Sequence, residues 1–171
     1  MIPSFDTSGL LPPSPGDQPY PATMDELDRR FVLDLGSLAW RVELRDGFQV
    51  VRAAVADFVP SARWWLWGCF ISSHAEPAMG NHQVMSALVI LPESEVRTLG
   101  ARLPVLVTFL QVAETQHRVD AAMVYEFEPG DERNIDTMDA MEGKWRLRAR
   151  VGVADHGTGE LVPAGFVEVS A

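Results

Sequence analysis

Trp64-Trp65-Leu66-Trp67-Gly68-Cys69-Phe70-Ile71-Ser72 is the stretch on which the fold of this chain turns. Residues 64–67 are large and apolar and read as a strand. Gly68 admits backbone angles closed to other residues, so the strand runs into a turn. Alternation puts Trp64 and Leu66 on one face and Trp65 and Trp67 on the other. At most one of these pairs faces a cleft, and large aromatics beside a long apolar helix are more often core.

Upstream of the turn, Trp40, Leu44, Phe48, Val51, Val55 and Phe58 step by three and four. That stripe predicts an amphipathic helix capped by Ser37 and running to about Val59, where Pro60 stops it. Arg41, Arg45, Gln49, Arg52 and Asp57 fall off the stripe, and Gly47 marks close packing in its middle. Earlier still, Thr23-Met24-Asp25-Glu26 has the pattern of a capping box. Met24, Leu27, Phe31 and Leu35 continue it as a short helix ending near Gly36. Residues 1–22 hold eight prolines and glycines, among them Gly9, Pro12 and Pro13, so no regular element is expected there. They read as an extended arm, pinned to the body by Phe5, Leu10, Leu11 and Tyr20, ahead of one domain over 23–171.

Downstream, residues 68–84 read as turn and irregular chain. Met85-Ser86-Ala87-Leu88-Val89-Ile90-Leu91 is apolar enough for a strand buried on both faces. Pro92 and Glu93 open a helix that Pro104 kinks or divides and that runs to about Gln116. The β-branched run 105–112 leaves a strand open as the alternative. Residues 118–128 alternate cleanly, with Val119, Ala121, Met123, Tyr125 and Phe127 on one face and Asp120, Ala122, Val124, Glu126 and Glu128 on the other. A short helix over 135–141, a strand over 145–153 and a last strand over 165–169 complete the pattern. Helices alternate with strands, which predicts an α/β or α+β fold with a small central sheet flanked by helices.

The formal net charge is −10, which disfavours a general nucleic-acid or anionic-membrane binder, since both need a positive field. Lys144, Arg146, Arg148 and Arg150 form a local basic stripe, either the solvated face of a strand or an anion contact. Cys69 is the only cysteine, and the first residues lack the basic and apolar blocks of a signal peptide. A cytoplasmic protein is the expectation.

Several segments carry a family likeness. Ile2-Pro3-x-Phe5-Asp6, Gly9-Leu10-Leu11-Pro12-Pro13 and Thr23-x-x-Glu26-Leu27 with Arg30-Phe31 open the chain. Trp67-Gly68-Cys69-Phe70, Glu76-Pro77, Val119-Asp120-Ala121 and Gly165-Phe166-Val167-Glu168-Val169 follow. Together they resemble a bacterial family of small nucleotidyltransferase-like proteins of the polymerase-β type. That resemblance implies a strand ending in Gly-Ser, whose amides and hydroxyl hold a triphosphate. It implies an Asp-x-Asp pair on the next strand and a third carboxylate on a later one, which together bind two Mg²⁺ ions. On this chain it assigns phosphate contact to Gly68 and Cys69 and the third carboxylate to Asp120.

The departures fall at the site itself. Cys69 stands where the family has serine. The carboxylate pair has no counterpart: counted from Pro77 it would be Met79 and Asn81, and placed on the strand it would be Met85 and Ala87. Glu76 is the only acid between Gly68 and Leu91 and could join Asp120 at a metal, with His74, Asn81, His82 and Gln83 in the same loop. Cys69 is either a small buried thiol or, against its spacing from any histidine, a nucleophile. Asp120 is either a strand-edge acid or a relic of the site. The expectation is a degenerate nucleotidyltransferase-like protein that binds or regulates without two-metal catalysis and needs no cofactor, with a protein or a nucleotide as partner. An active transferase using Mg²⁺ and a nucleotide is the alternative. By family analogy, a toxin–antitoxin or phage-defence component is another.

Overall fold

The computed structural model describes residues 1–14, 18–74, 84–134 and 164–170. They form a mixed α+β fold: a five-stranded sheet flanked by helices. The elements in chain order are β1 (Tyr20–Ala22), α1 (Met24–Asp28), α2 (Ala39–Ala56), β2 (Arg63–Trp67), β3 (Met85–Pro92), α3 (Glu93–Leu99), α4 (Leu103–His117), β4 (Val119–Glu126) and β5 (Val167–Ser170). Strand order is β1-β5-β2-β3-β4. β5 lies parallel to β1 and antiparallel to β2, β2 is antiparallel to β3, and β3 is parallel to β4. The helix predicted over 135–141 and the strand over 145–153 lie outside the described residues, as does the basic stripe.

Local chemistry sets the helix boundaries. Thr23 caps α1 as predicted, its hydroxyl accepting from the Glu26 amide while the Glu26 carboxylate accepts from the Thr23 amide. The chain continues from α1 through one π-helical stretch, Arg29–Leu33, which buries Phe31 and Val32. Ser37 does not cap α2: it sits at φ 51° in the left-handed region, and α2 starts from Leu38 with no side-chain cap. Residues 105–112 are helix rather than strand. The break between α3 and α4 falls at a 3-10 turn over Gly100–Arg102, and Pro104 occupies the first turn of α4, where its missing N–H is harmless. By length and composition the stretch Glu93–His117 could span a membrane, but Leu106, Leu110 and Ala113 pack into the protein core.

The two faces of the sheet differ. α2 and α4 cover one face over a core of Trp64, Leu66, Met85, Ala87, Val89, Leu91, Val119, Val167 and Val169. Phe48 of α2 meets the Trp64 ring edge-on at 5.3 Å. Gly47 lets α2 approach α4, because a β-carbon there would fall inside contact distance of the His117 carbonyl. The opposite face buries Trp65, Trp67, Leu88 and Ile90, with Ala122, Val124 and Phe166 packed beside them. The alternation predicted for residues 64–67 therefore holds, and so does that predicted for residues 118–128 over the part that forms a strand, Val119–Glu126.

The N-terminal arm is more ordered than its prolines suggest. Tyr20–Ala22 joins the sheet as its outer strand, a position that tolerates Pro21 because an edge amide needs no ladder partner. Leu10 and Leu11 are buried, the Gly165 amide donates to the Leu11 carbonyl at 2.8 Å, and Tyr20 Oη donates to the Pro12 carbonyl at 3.0 Å. The arm thus spans from the sheet edge to the turn after β2.

Candidate functional site

Gly68 ends β2 with φ 86° and ψ −156°, a region that only glycine occupies without strain. The chain then makes one 3-10 turn, Cys69–Ile71, with the Ile71 amide donating to the Gly68 carbonyl at 3.0 Å. Strand register carries the site across the sheet from this corner. Trp67 pairs with Ser86 of β3, and Ser86 pairs with Asp120 of β4. Asp120 therefore lies two strand spacings from the corner strand, roughly 10 Å. A β-carbon built on Gly68 would sit 3.6 Å from Ser86 Oγ. Gly68, Ser86 and Asp120 thus share one end of the sheet, Ser86 and Asp120 on the face of Trp65 and Trp67.

The structure brings Gly68, Cys69 and Asp120 to one end, but it moves the positions assigned to the missing carboxylates. Met85 and Ala87 face the helices as part of the core, so neither shares the sheet face of Asp120. The β3 positions on the Asp120 face are Ser86 and Leu88. Met79, Asn81, Glu76, His82 and Gln83 lie outside the described residues. His74 is described: its Nε2 lies 3.1 Å from the Ser8 carbonyl, which ties it to the arm. Asp120 is half-buried, and among the described residues no group of three His, Cys, Asp or Glu side chains gathers to hold a metal.

The corner is built on a residue placed off the apolar stripe of α2. The buried positions of α2 are Arg41, Leu44, Phe48, Val51 and Val55. Trp40 is only half-buried, and its ring stacks on the Arg41 guanidinium at 4.3 Å. Arg41 Nη1 donates to the carbonyls of Phe31 at 3.1 Å and Phe70 at 2.7 Å. Its Nη2 donates to those of Ser72 at 2.7 Å and His74 at 2.8 Å. Burial pulls the Arg41 pKa down to about 10, against the opposing effect of Cys69, so the group stays charged at neutral pH. Burial pushes the half-buried Cys69 thiol up, with Arg41 resisting, which makes Cys69 a poor nucleophile at neutral pH. The signal for Arg41 was in the sequence. Positions 41, 44, 48, 51 and 55 step by three and four as evenly as the stripe headed by Trp40.

The arm closes the same corner from outside. Leu10 bridges to Ser72, and the Ser73 amide donates to the Gly9 carbonyl at 2.8 Å. Gly9 sits at φ 80°, where a β-carbon would also press on Ser73 Oγ. These contacts give the Gly9-Leu10-Leu11 stretch its physical purpose.

The fold and site define a mixed α+β domain with a glycine corner, a hydroxyl and one carboxylate at one end of its sheet. The chain belongs to a family of unknown function, DUF6932, whose model matches residues 3–170. No curated protein and no solved structure matches it.

Proposed function

We propose that this protein is a binding module on a nucleotidyltransferase-like scaffold and that it does not carry out two-metal transfer. Three strands support the scaffold: β2 with the glycine corner, β3 beside it and β4 with Asp120 lie in chain order across the sheet. The single observation that carries the loss of chemistry is β3. It lies between the corner and Asp120, where the resemblance expects Asp-x-Asp, and it contains no acid in Met85–Pro92. Two Mg²⁺ ions need several carboxylates to hold them beside a triphosphate, and one carboxylate does not replace three. On this reading the Gly68 turn is what remains of the phosphate contact that the resemblance assigns to Gly68 and Cys69.

The test is direct. The protein is incubated with labelled nucleoside triphosphates, Mg²⁺ or Mn²⁺ and candidate acceptors, and metal binding is followed by calorimetry. No transfer and no metal-binding heat are expected, while a nucleotide is held with equal affinity in chelator. Label transfer that disappears in Asp120→Asn would overturn the proposal in favour of an active transferase drawing on Asp120 and Glu76.

A further inference from the structure

We propose that Arg41 is the positioning residue that builds the Gly68 corner, and that the corner and the N-terminal arm open and close around it as one unit. This inference does not depend on any chemistry at the corner. It starts from a cost. A guanidinium with no exposed surface stands at the head of the buried stripe of α2, where the other positions are apolar. Burying a charge is unfavourable unless its donors are matched. Here both terminal nitrogens are matched, each to two backbone carbonyls, and only Nε lacks a partner among the described residues.

The identity of the acceptors gives the role. Phe70, Ser72 and His74 are alternate residues of one segment, so that segment wraps around the guanidinium. Among the described residues, this segment has only the single turn Cys69–Ile71 and the isolated bridge from Ser72 to Leu10 as regular structure. The fourth carbonyl, from Phe31, ties the same guanidinium to the π-helical stretch before α2. The arm then docks on the segment that Arg41 has shaped, through Gly9 to Ser73, Leu10 to Ser72 and Ser8 to His74. Coupling therefore runs from Arg41 to residues 70–74 and on to residues 8–10. A planar fork with five fixed donors can read four carbonyls at once, whereas lysine carries a single point charge that cannot.

The experiment is residue-resolved amide exchange on wild-type protein, Arg41→Lys and Arg41→Ala, with alkylation of Cys69 as a second readout. In Arg41→Lys the amides of Asp6, Ile71 and Ser73 are expected to exchange roughly tenfold to a hundredfold faster, with β3 and β4 unchanged. Cys69 alkylation accelerates in parallel. In Arg41→Ala, added ethylguanidinium restores the slow rates and ethylammonium does not. Unchanged exchange at Ile71 and Ser73, or an equal rise across the whole sheet, would overturn the proposal. Should both variants fail to fold, the wild-type protein decides. Asp6, Ile71 and Ser73 must share one opening free energy below that of the β3 ladder, and separate values would reject the single unit.

Discussion

Gly68, Cys69 and Arg41 sit within one corner yet answer to different physics. For Gly68 the constraint is backbone angle rather than space, because the nearest atom to a built β-carbon is Ser86 Oγ at 3.6 Å. Gly68→Ala should therefore destabilise the protein by roughly 1–3 kcal/mol, the cost of a non-glycine residue in that region. Urea denaturation measures it, and a neutral result would mean the corner relaxes freely. For Cys69 the constraint is solvation. Its pKa is raised above the ordinary 9.0 because the thiolate is disfavoured by burial. The rate of alkylation should rise with pH to a midpoint above 9.0, and a midpoint at or below it would contradict the half-buried placement. The sign for stability follows. This thiol contributes stability that is fully present below the unfolded pKa and lost as pH rises through the folded one.

Among the elements, α2 shows best what periodicity reveals and what it hides. Its amphipathic character and the close approach at Gly47 were legible, because each is written in neighbours three and four residues apart. Its ends were not, the helix running Ala39–Ala56 rather than from a Ser37 cap to about Val59. The identity of the buried face was not fully legible. A stripe headed by Trp40 and one headed by Arg41 fit the same spacing, and hydrophobicity alone favours the tryptophan. The structure chose the arginine because distant carbonyls from residues 70–74 were available to satisfy it. Gly47 yields a prediction of the same kind. Alanine there gains roughly 1 kcal/mol in helix propensity but forces α2 away from the His117 carbonyl. Overpacking costs about 1–3 kcal/mol, and here the obstacle is backbone, so Gly47→Ala should be a net loss in thermal or chemical denaturation. By contrast Thr23→Ala removes only a helix cap and should cost about 1 kcal/mol.

Across the molecule, the arm links the first residues to the corner and to both chain ends of the sheet. Asp6 anchors it: its carboxylate accepts from the Ser8 hydroxyl at 2.6 Å, the Ser8 amide at 2.9 Å and the Leu10 amide at 3.0 Å. The Ser8 hydroxyl and these amides hold its pKa below the ordinary 3.8. A carboxylate with a lowered folded pKa contributes stability that is present above its unfolded pKa and lost as pH falls through the folded one. Acidification below pH 3.8 should therefore loosen the arm. Amide exchange at Ser8 and Leu10 should rise there, and Asp6→Ala should show the same loosening at neutral pH. Arm amides that stay protected in Asp6→Ala would show that Leu10 and Leu11 hold the arm without this anchor.

The candidate site divides along the same line. The glycine turn, the alternation of the tryptophans and the faces of the third predicted strand are local patterns, and the sequence determined them by itself. So did the capping box and the absence of acids from residues 85–92. Strand neighbours are set by contacts between residues far apart in the chain. Only the tertiary structure could place β5, from the end of the chain, between β1 and β2. Register decided that Ser86 rather than Met85 or Ala87 stands beside Asp120, since a shift of one residue turns a side chain to the opposite face. Tertiary contact also decided the fate of Arg41, because a buried charge is tolerable only where partners from elsewhere in the chain converge on it.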